Sequence, residues 1–262
     1  MLIGISGKMG SGKNLVCTII QGLTAAKKHN IENPSFEWIK KYYINSIWEQ
    51  KAFAGKLKDF VCILIGCTRE QLEDQDFKNK ELGEEWNCYI FNNGKKEELT
   101  LNYIIAKTLS ADNRIISRIL TPRLLLQLLG TECIRDKVHP NAWVNALFAD
   151  YKYEIHRSEV PTRAAGFIDQ HVYPNWIITD MRFPNELEAV KSRGGITIRV
   201  NRPYDSLNQD SLFSLQKQQE TNNHPSETSL DNAEFDYIID NSGTIEDLIH
   251  TVSLILKKEK II

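Results

Sequence analysis

The chain has 262 residues and a formal net charge of −2, enough for one large or two small domains with a full hydrophobic core. With no basic excess, a broad footprint on nucleic-acid phosphates is excluded, while a local basic cleft for a small anion is not. There is no run of about 18 apolar residues to cross a membrane, and the apolar opening Met1–Gly7 lacks the basic lead-in of a signal peptide.

Leu2 to Ser6 is short, apolar and bounded by Gly7, the pattern of a buried strand. From Gly12 to Lys28, apolar Val16, Ile19, Ile20 and Leu23 recur at helical spacing. Between them, Gly7-Lys8-Met9-Gly10-Ser11-Gly12-Lys13 fits the phosphate-loop pattern GxxxxGK. Glycines let backbone N–H groups converge on phosphates, and the helix amino end adds a favourable dipole. The strand before and helix after are the context the motif requires, so ATP or GTP is expected here. Gly10, Ser11, Gly12, Lys13, Asn14 and Leu15 form the nucleotide-binding set, with Lys13 reaching the β- and γ-phosphates. The usual Ser or Thr after the lysine is replaced by Asn14, whose amide oxygen is the candidate Mg²⁺ ligand or holds one of its waters.

A second strand is expected over Lys51–Ala54, then helices over Leu57–Ile65 and Arg69–Phe77, broken at Gly66. Lys56, Lys58 and Asp59 stand where an acceptor phosphate is often held, although charged helix starts are common. Asn87–Lys96 reads as a polar connection and Leu99–Leu120 as a helix. Pro122–Asp136 is a helix with Thr121 as N-cap and Pro122 at the first position. Arg123 in its first turn opposes the macrodipole and is easier to explain if it binds an anion. Gln127 is one turn further on the same face, and Gly130-Thr131 lie near the helix end. In the helix Asn141–Arg157, Trp143 is either a base-stacking ring or a core residue.

Val160–Pro174 reads as a loop and Trp176–Thr179 as a strand ending at Asp180. Carboxyl strand ends are where open α/β sheets bind ligands. Asp180 is thus a candidate for magnesium or substrate, and Arg182 for a bidentate phosphoryl clamp; an Asp–Arg surface pair is the plain alternative. Asn185–Arg193 is a helix closed by Gly194-Gly195, and Ile196–Val200 is a strand. Arg202–Asp231 is a polar excursion, a possible lid, whose His224 and Glu227 have no Ser or Cys nucleophile to complete a hydrolytic triad. Tyr237–Ile239 is the last strand and Ile245–Lys258 the last helix, joined by Asn241-Ser242-Gly243-Thr244. The five cysteines include no CxxC pair, which fits reduced thiols in a cytosol.

Alternating strands and helices imply an α/β fold: a three-layer P-loop NTPase with a parallel sheet of about five strands. The expectation is one kinase domain over 1–262, with 55–157 as a helical substrate-binding insert and 202–231 as a lid.

The ordered set SGKMGSGKN, FAGKLKD (53–59), RLLLQLLGTE (123–132), NAWV (141–144), ITDMRFPNE (178–186), HPSE (224–227) and IIDNSGTIEDL (238–248) resembles the phage deoxynucleoside monophosphate kinases. The resemblance implies transfer of the γ-phosphoryl of Mg²⁺-ATP to a dNMP in a host cell cytoplasm, with small nucleotides as the partners and neither nucleic acid nor membrane. A homodimer is an admissible assembly. It further implies Lys13 on the ATP phosphates, and Lys58, Lys78, Arg123, Gln127, Gly130, Thr131, Trp143, Asp180, Arg182 and Glu186 around the acceptor. Asn241, Gly243 and Thr244 would border the adenine. Lys13, Arg123, Asp180 and Arg182 become the catalytic set, Asn14 and Asp180 the metal set. The family often has Asp and Thr where this chain has Asn14 and Leu15. Rival readings are another small-molecule P-loop kinase, such as a dephospho-coenzyme A kinase, a nucleotide-gated binding module without phosphotransfer, and a scaffold made from a degenerate kinase.

Overall fold

The opening strand β1 (Leu2–Ser6) is buried along its whole length, as a parallel strand covered on both faces must be. The computed structural model describes residues 1–83, 86, 88–92, 95–99, 120–159, 167–202 and 228–262. The chain forms two compact units, Met1–Phe53 with Val144–Ile262, and Ala54–Trp143.

In the first unit β1 is the middle strand of a five-stranded parallel sheet. The order is β2 (Trp48–Lys51), β7 (Asn175–Met181), β1, β8 (Ile196–Asn201) and β9 (Tyr237–Asp240). One face carries Ile3, Ile5, Ile177, Ile198 and Ile239 against α1 (Lys13–Lys28) and the last helix (Ile245–Lys258). The other carries Leu2, Trp176, Ile178 and Met181 against Val144, Leu147 and Phe148 and the helix Pro184–Lys191. Full burial of one such side chain is worth about 1.5–3 kcal/mol, so the sheet is a stiff frame on which loop contacts of about 1 kcal/mol act only as tuning. A helix not foreseen in the sequence, α2 (Phe36–Tyr42), starts where Ser35 Oγ accepts from Trp38 N–H.

Several boundaries differ from expectation. The second strand is Trp48–Lys51, and the helix α3 (Ala54–Ile65) begins at once, so residues 52–54 are not strand. The Arg69–Phe77 helix is two pieces, α4 (Arg69–Glu73) and α5 (Gln75–Asn79). Asp74 between them is extended and caps the second piece through Phe77 N–H. The supposed polar connection holds an antiparallel pair, β3 (Cys88–Asn92) and β4 (Lys95–Leu99). The helix from Pro122 is continuous to Lys137 but not uniform: α6 (Pro122–Gln127), a π-helical stretch Leu128–Cys133, then α7 (Ile134–Lys137). The next helix, α8 (Ala142–Phe148), stops well short of Arg157. The chain then pairs β5 (Glu154–Glu159) antiparallel with β6 (Phe167–Val172), within what the sequence suggested to be a helix end and a loop. Beyond β7 come α9 (Pro184–Lys191) and, after β9, α10 (Ile245–Lys258). Most of the Leu99–Leu120 helix and of the 202–231 excursion, with His224 and Glu227, lies outside the described residues.

Candidate functional site

At the carboxyl end of β1 the chain turns through Gly7–Gly12 into α1. Gly12 has φ 97°, a left-handed value that strains any residue with a Cβ. A Cβ there would lie 2.3 Å from Asn241 Nδ2, and one on Gly7 would lie 2.5 Å from Val200 O. The loop is thus pressed against the ends of β8 and β9 and is glycine for steric reasons. Lys13 Nζ donates to the carbonyls of Gly7 at 2.6 Å and Lys8 at 2.7 Å. Those bonds curl its ammonium back across the loop instead of out to solvent. Ser11 is buried, and its Oγ has no hydrogen-bond partner among the described residues. An orphaned buried polar atom calls for a ligand or a water.

The amino end of α1 has no side-chain cap and no acidic residue in its first turn. Its N–H groups and dipole therefore favour an incoming anion. Asn14 is exposed in that first turn. Leu15 packs on the core cluster, which leaves only its backbone to take part in the loop. Behind the loop, Asn241 Nδ2 donates to Ser11 O at 2.9 Å. Gly243 and Thr244 are exposed beside it. Thr244 caps α10: its Oγ1 accepts from Asp247 N–H, and Asp247 Oδ2 accepts the Thr244 N–H at 2.9 Å.

Asp180 owes its position to an irregular strand. Gly4 pairs with Ile178 and Ser6 with Met181, so β7 carries one residue more than β1 over this stretch. Trp176, Ile178 and Met181 all enter the same apolar cluster, which strict alternation would forbid. Asp180 is half-buried, and its Oδ1 accepts the N–H of Phe53 at 2.7 Å, tying the segment after β2 to the carboxyl end of β7. Six residues on, the buried Glu186 carboxylate accepts the N–H groups of Arg182 at 2.7 Å and Phe183 at 3.0 Å. Glu186 was expected to touch the acceptor. Its burial and these bonds make it the cap of α9 that fixes the backbone of Arg182.

The second unit gathers cations around Glu73. Lys58 Nζ is 2.7 Å from Glu73 Oε1, Arg69 Nη2 3.5 Å, and Lys78 Nζ 3.4 Å from Oε2. Burial acts to raise the Glu73 carboxyl, but the hydrogen bond and charge of Lys58, with Lys78, outweigh it and hold the group below the ordinary range. Arg123 and Gln127 are both exposed on α6. The Arg123 guanidinium is steadied by two neutral amides, Asn79 Oδ1 at 2.8 Å and Gln75 Oε1 at 2.7 Å. Among the described residues no carboxylate pairs with it. Gly130 and Thr131 fall in the π-helical stretch, a deformation frequent at functional sites. Trp143, either a base-stacking ring or a core residue by its sequence, is buried in the apolar cluster with Leu57, Val61 and Leu72, and its Nε1–H donates to Gly130 O at 2.8 Å. That burial favours the core alternative over base stacking.

Sequence reasoning missed Glu73, Arg199 and Asp231. Glu73 was detectable in principle, since Arg69 precedes it by one helical turn. Arg199 and Asp231 meet only through the sheet. Among the described residues no group of three or more His, Cys, Asp or Glu could hold a metal on its own, and no helix is long and apolar enough to cross a membrane.

Comparison with known proteins agrees with this geometry. The family model described as deoxynucleotide monophosphate kinase matches residues 1–252. The deoxynucleoside-5′-monophosphate kinase of Escherichia phage T5 is 23% identical over 252 residues, covering 88% of this chain and 85% of its own. The deoxynucleotide monophosphate kinase of Enterobacteria phage T4 is 23% identical over an alignment covering 98% of each chain. A glycine-built loop at the carboxyl end of the middle strand of a five-stranded parallel sheet and a family match over nearly the full length lead to one conclusion: the chain belongs to the deoxynucleotide monophosphate kinase family and is a phosphotransferase.

Proposed function

We propose that the chain transfers the γ-phosphoryl group of ATP to the 5′-phosphate of a deoxynucleoside monophosphate, giving ADP and the deoxynucleoside diphosphate. The observation that carries this is the Lys13 ammonium, held on the Gly7 and Lys8 carbonyls at the mouth of an uncapped helix. Arriving phosphates would exchange those neutral carbonyls for charged oxygens, a stronger contact. Lys13 and the loop N–H groups hold the donor. The backbone around Asn241, Gly243 and Thr244 borders its base. Arg123, Gln127, Lys58 and Lys78 are the acceptor candidates of the Ala54–Trp143 unit, and Arg182 is the candidate phosphoryl clamp of the other unit. The acceptor phosphate is already an anionic nucleophile at neutral pH, so no strong base is required, and rate comes from alignment and charge neutralisation. Both nucleotides are small anions of the cytoplasm, where we place the reaction.

The residues present also fit a magnesium ion. One carboxylate, Asp180, and one amide, Asn14, are few protein ligands, and magnesium characteristically takes one or two and leaves the rest to phosphates and water. When bound, it supplies charge neutralisation on the β- and γ-phosphates.

A coupled ADP-release assay with dGMP, dTMP, dCMP, dAMP and dephospho-coenzyme A tests the reading. Turnover is expected with at least one deoxynucleotide and none with dephospho-coenzyme A. Lys13→Ala is expected to lose about three decades of rate, the scale for removing a preorganised charge contact. ADP release indifferent to every deoxynucleotide would overturn the proposal.

A further inference from the structure

Asp231 bridges two cations. One carboxylate oxygen lies 2.7 Å from Arg199 Nη2 and the other 3.4 Å from Lys8 Nζ. Arg199 also donates from Nη1 to Ser6 Oγ at 3.1 Å, and Ser6 and Arg199 are register partners across β1 and β8. The Arg199 side chain is only 11% exposed, and the Phe235 ring lies 5.9 Å from its guanidinium carbon. Asp231 itself is set on a turn closed by its N–H on Thr228 O at 3.0 Å.

A chain of contacts therefore runs from the strand end to the phosphate loop. Ser6 is the last residue of β1, and Lys8 is the first after Gly7. The Lys8 carbonyl is one of the two that dock Lys13 Nζ. A nearly buried guanidinium is a costly way to fill a strand position where an apolar side chain would serve stability at least as well. A partly exposed lysine–carboxylate pair adds little stability either. What the network does reach is the Lys8 side chain, on the residue whose carbonyl takes Lys13 Nζ and, at 3.2 Å, the Ser11 N–H.

We propose that Arg199 and Asp231 are positioning residues for the phosphate loop. They hold Lys8 so that its carbonyl keeps the Lys13 ammonium at the loop mouth before ATP arrives. The inference rests on reading Gly7–Lys13 as the triphosphate site.

The test is ATP titration calorimetry with steady-state kinetics on the full chain. Asp231→Asn is expected to raise both the Kd and the KM for ATP about tenfold, the scale of a small misplacement at a reacting centre, while the KM for the deoxynucleotide stays unchanged. Lys8→Met should give part of that effect. Adding Lys8→Met to Asp231→Asn should add nothing, because the pair acts as one unit. Asp231→Glu, which keeps the charge, should recover most of the ATP affinity. Two results would overturn the idea: an ATP Kd within twofold of the parent in Asp231→Asn with only a lower Tm, or fully additive effects of the two changes. If Arg199→Met does not fold, these two positions still decide. Lys13→Ala serves as the reference: normal ATP affinity in that variant would refute the triphosphate site itself.

Discussion

Asn241 Nδ2 donates to the carbonyl of Ser11 at 2.9 Å, and the same nitrogen stands 2.3 Å from where a Cβ on Gly12 would be. The amide at the end of β9 therefore both braces the phosphate loop and reserves its space. Gly12→Ala should lose ATP binding and destabilise the fold by about 1–3 kcal/mol, the scale of a strained backbone residue. Asn241→Ala should cost about 1 kcal/mol of loop stabilisation and raise the ATP Kd several-fold. Calorimetry and urea unfolding on the two variants check both, and wild-type ATP affinity in Gly12→Ala would contradict the steric argument.

The Glu73 carboxyl carries a pH dependence. Burial works to raise its pKa, and Lys58 and Lys78 more than reverse this, so it lies below the ordinary value of 4.5 when folded. At pH near 4.5 the unfolded chain then binds more protons than the folded one. The contribution to stability is present in full above the ordinary value and is lost as the pH falls through the folded one. Unfolding midpoints measured from about pH 7 down to about pH 3 should fall more shallowly in Glu73→Gln than in the parent. Equal slopes would mean that the two lysines do not act through this carboxylate.

Trp143→Phe tests the core assignment. Removing the indole N–H leaves the Gly130 carbonyl without that donor, at a cost of about 1–3 kcal/mol. The loss should appear in the unfolding free energy. A rise in the KM of one deoxynucleotide base over the others, with stability intact, would restore the stacking role.

How much was readable beforehand depended on how local each feature was. Leu2–Ser6, the loop to Lys13 and the helix Ile245–Lys258 carry their signals within a few residues, through apolar spacing, glycines and caps. The five-strand sheet follows from them. The β5–β6 pair did not, because its residues are mixed polar and apolar and its strands find each other only on pairing. The π-helical stretch from Leu128 has the same apolar spacing as an ordinary helix, so nothing local distinguishes it. At the site, Lys13 was legible from its motif. The capping bonds of Glu186 were not legible, because a buried cap and a ligand contact both call for an acid near a strand end. Arg199 and Asp231 are 32 residues apart and meet only in space.

The thiols give a prediction that needs no substrate. Burial pushes the Cys17 thiol up to about 12, and burial with the neighbouring Cys62 pushes Cys67 to about 11. Cys133 is exposed. Since the thiolate is the reactive form, among these described thiols iodoacetamide near neutral pH should label Cys133 first, and Cys17 only after unfolding. Peptide mass mapping of a labelling time course reads the order directly, and early native labelling of Cys17 would show its helix face to be open.

The surplus residue in β7 has a consequence for anyone who would transplant this edge. After it, odd-numbered Met181 points the way even-numbered Trp176 and Ile178 do. Residues 178–181 therefore form an indivisible cassette: grafted whole onto a related scaffold, they carry the acid along with the greasy layer beyond it. Cut in the middle, they would turn either Asp180 or Met181 to the wrong side, and the new protein would inherit a defect.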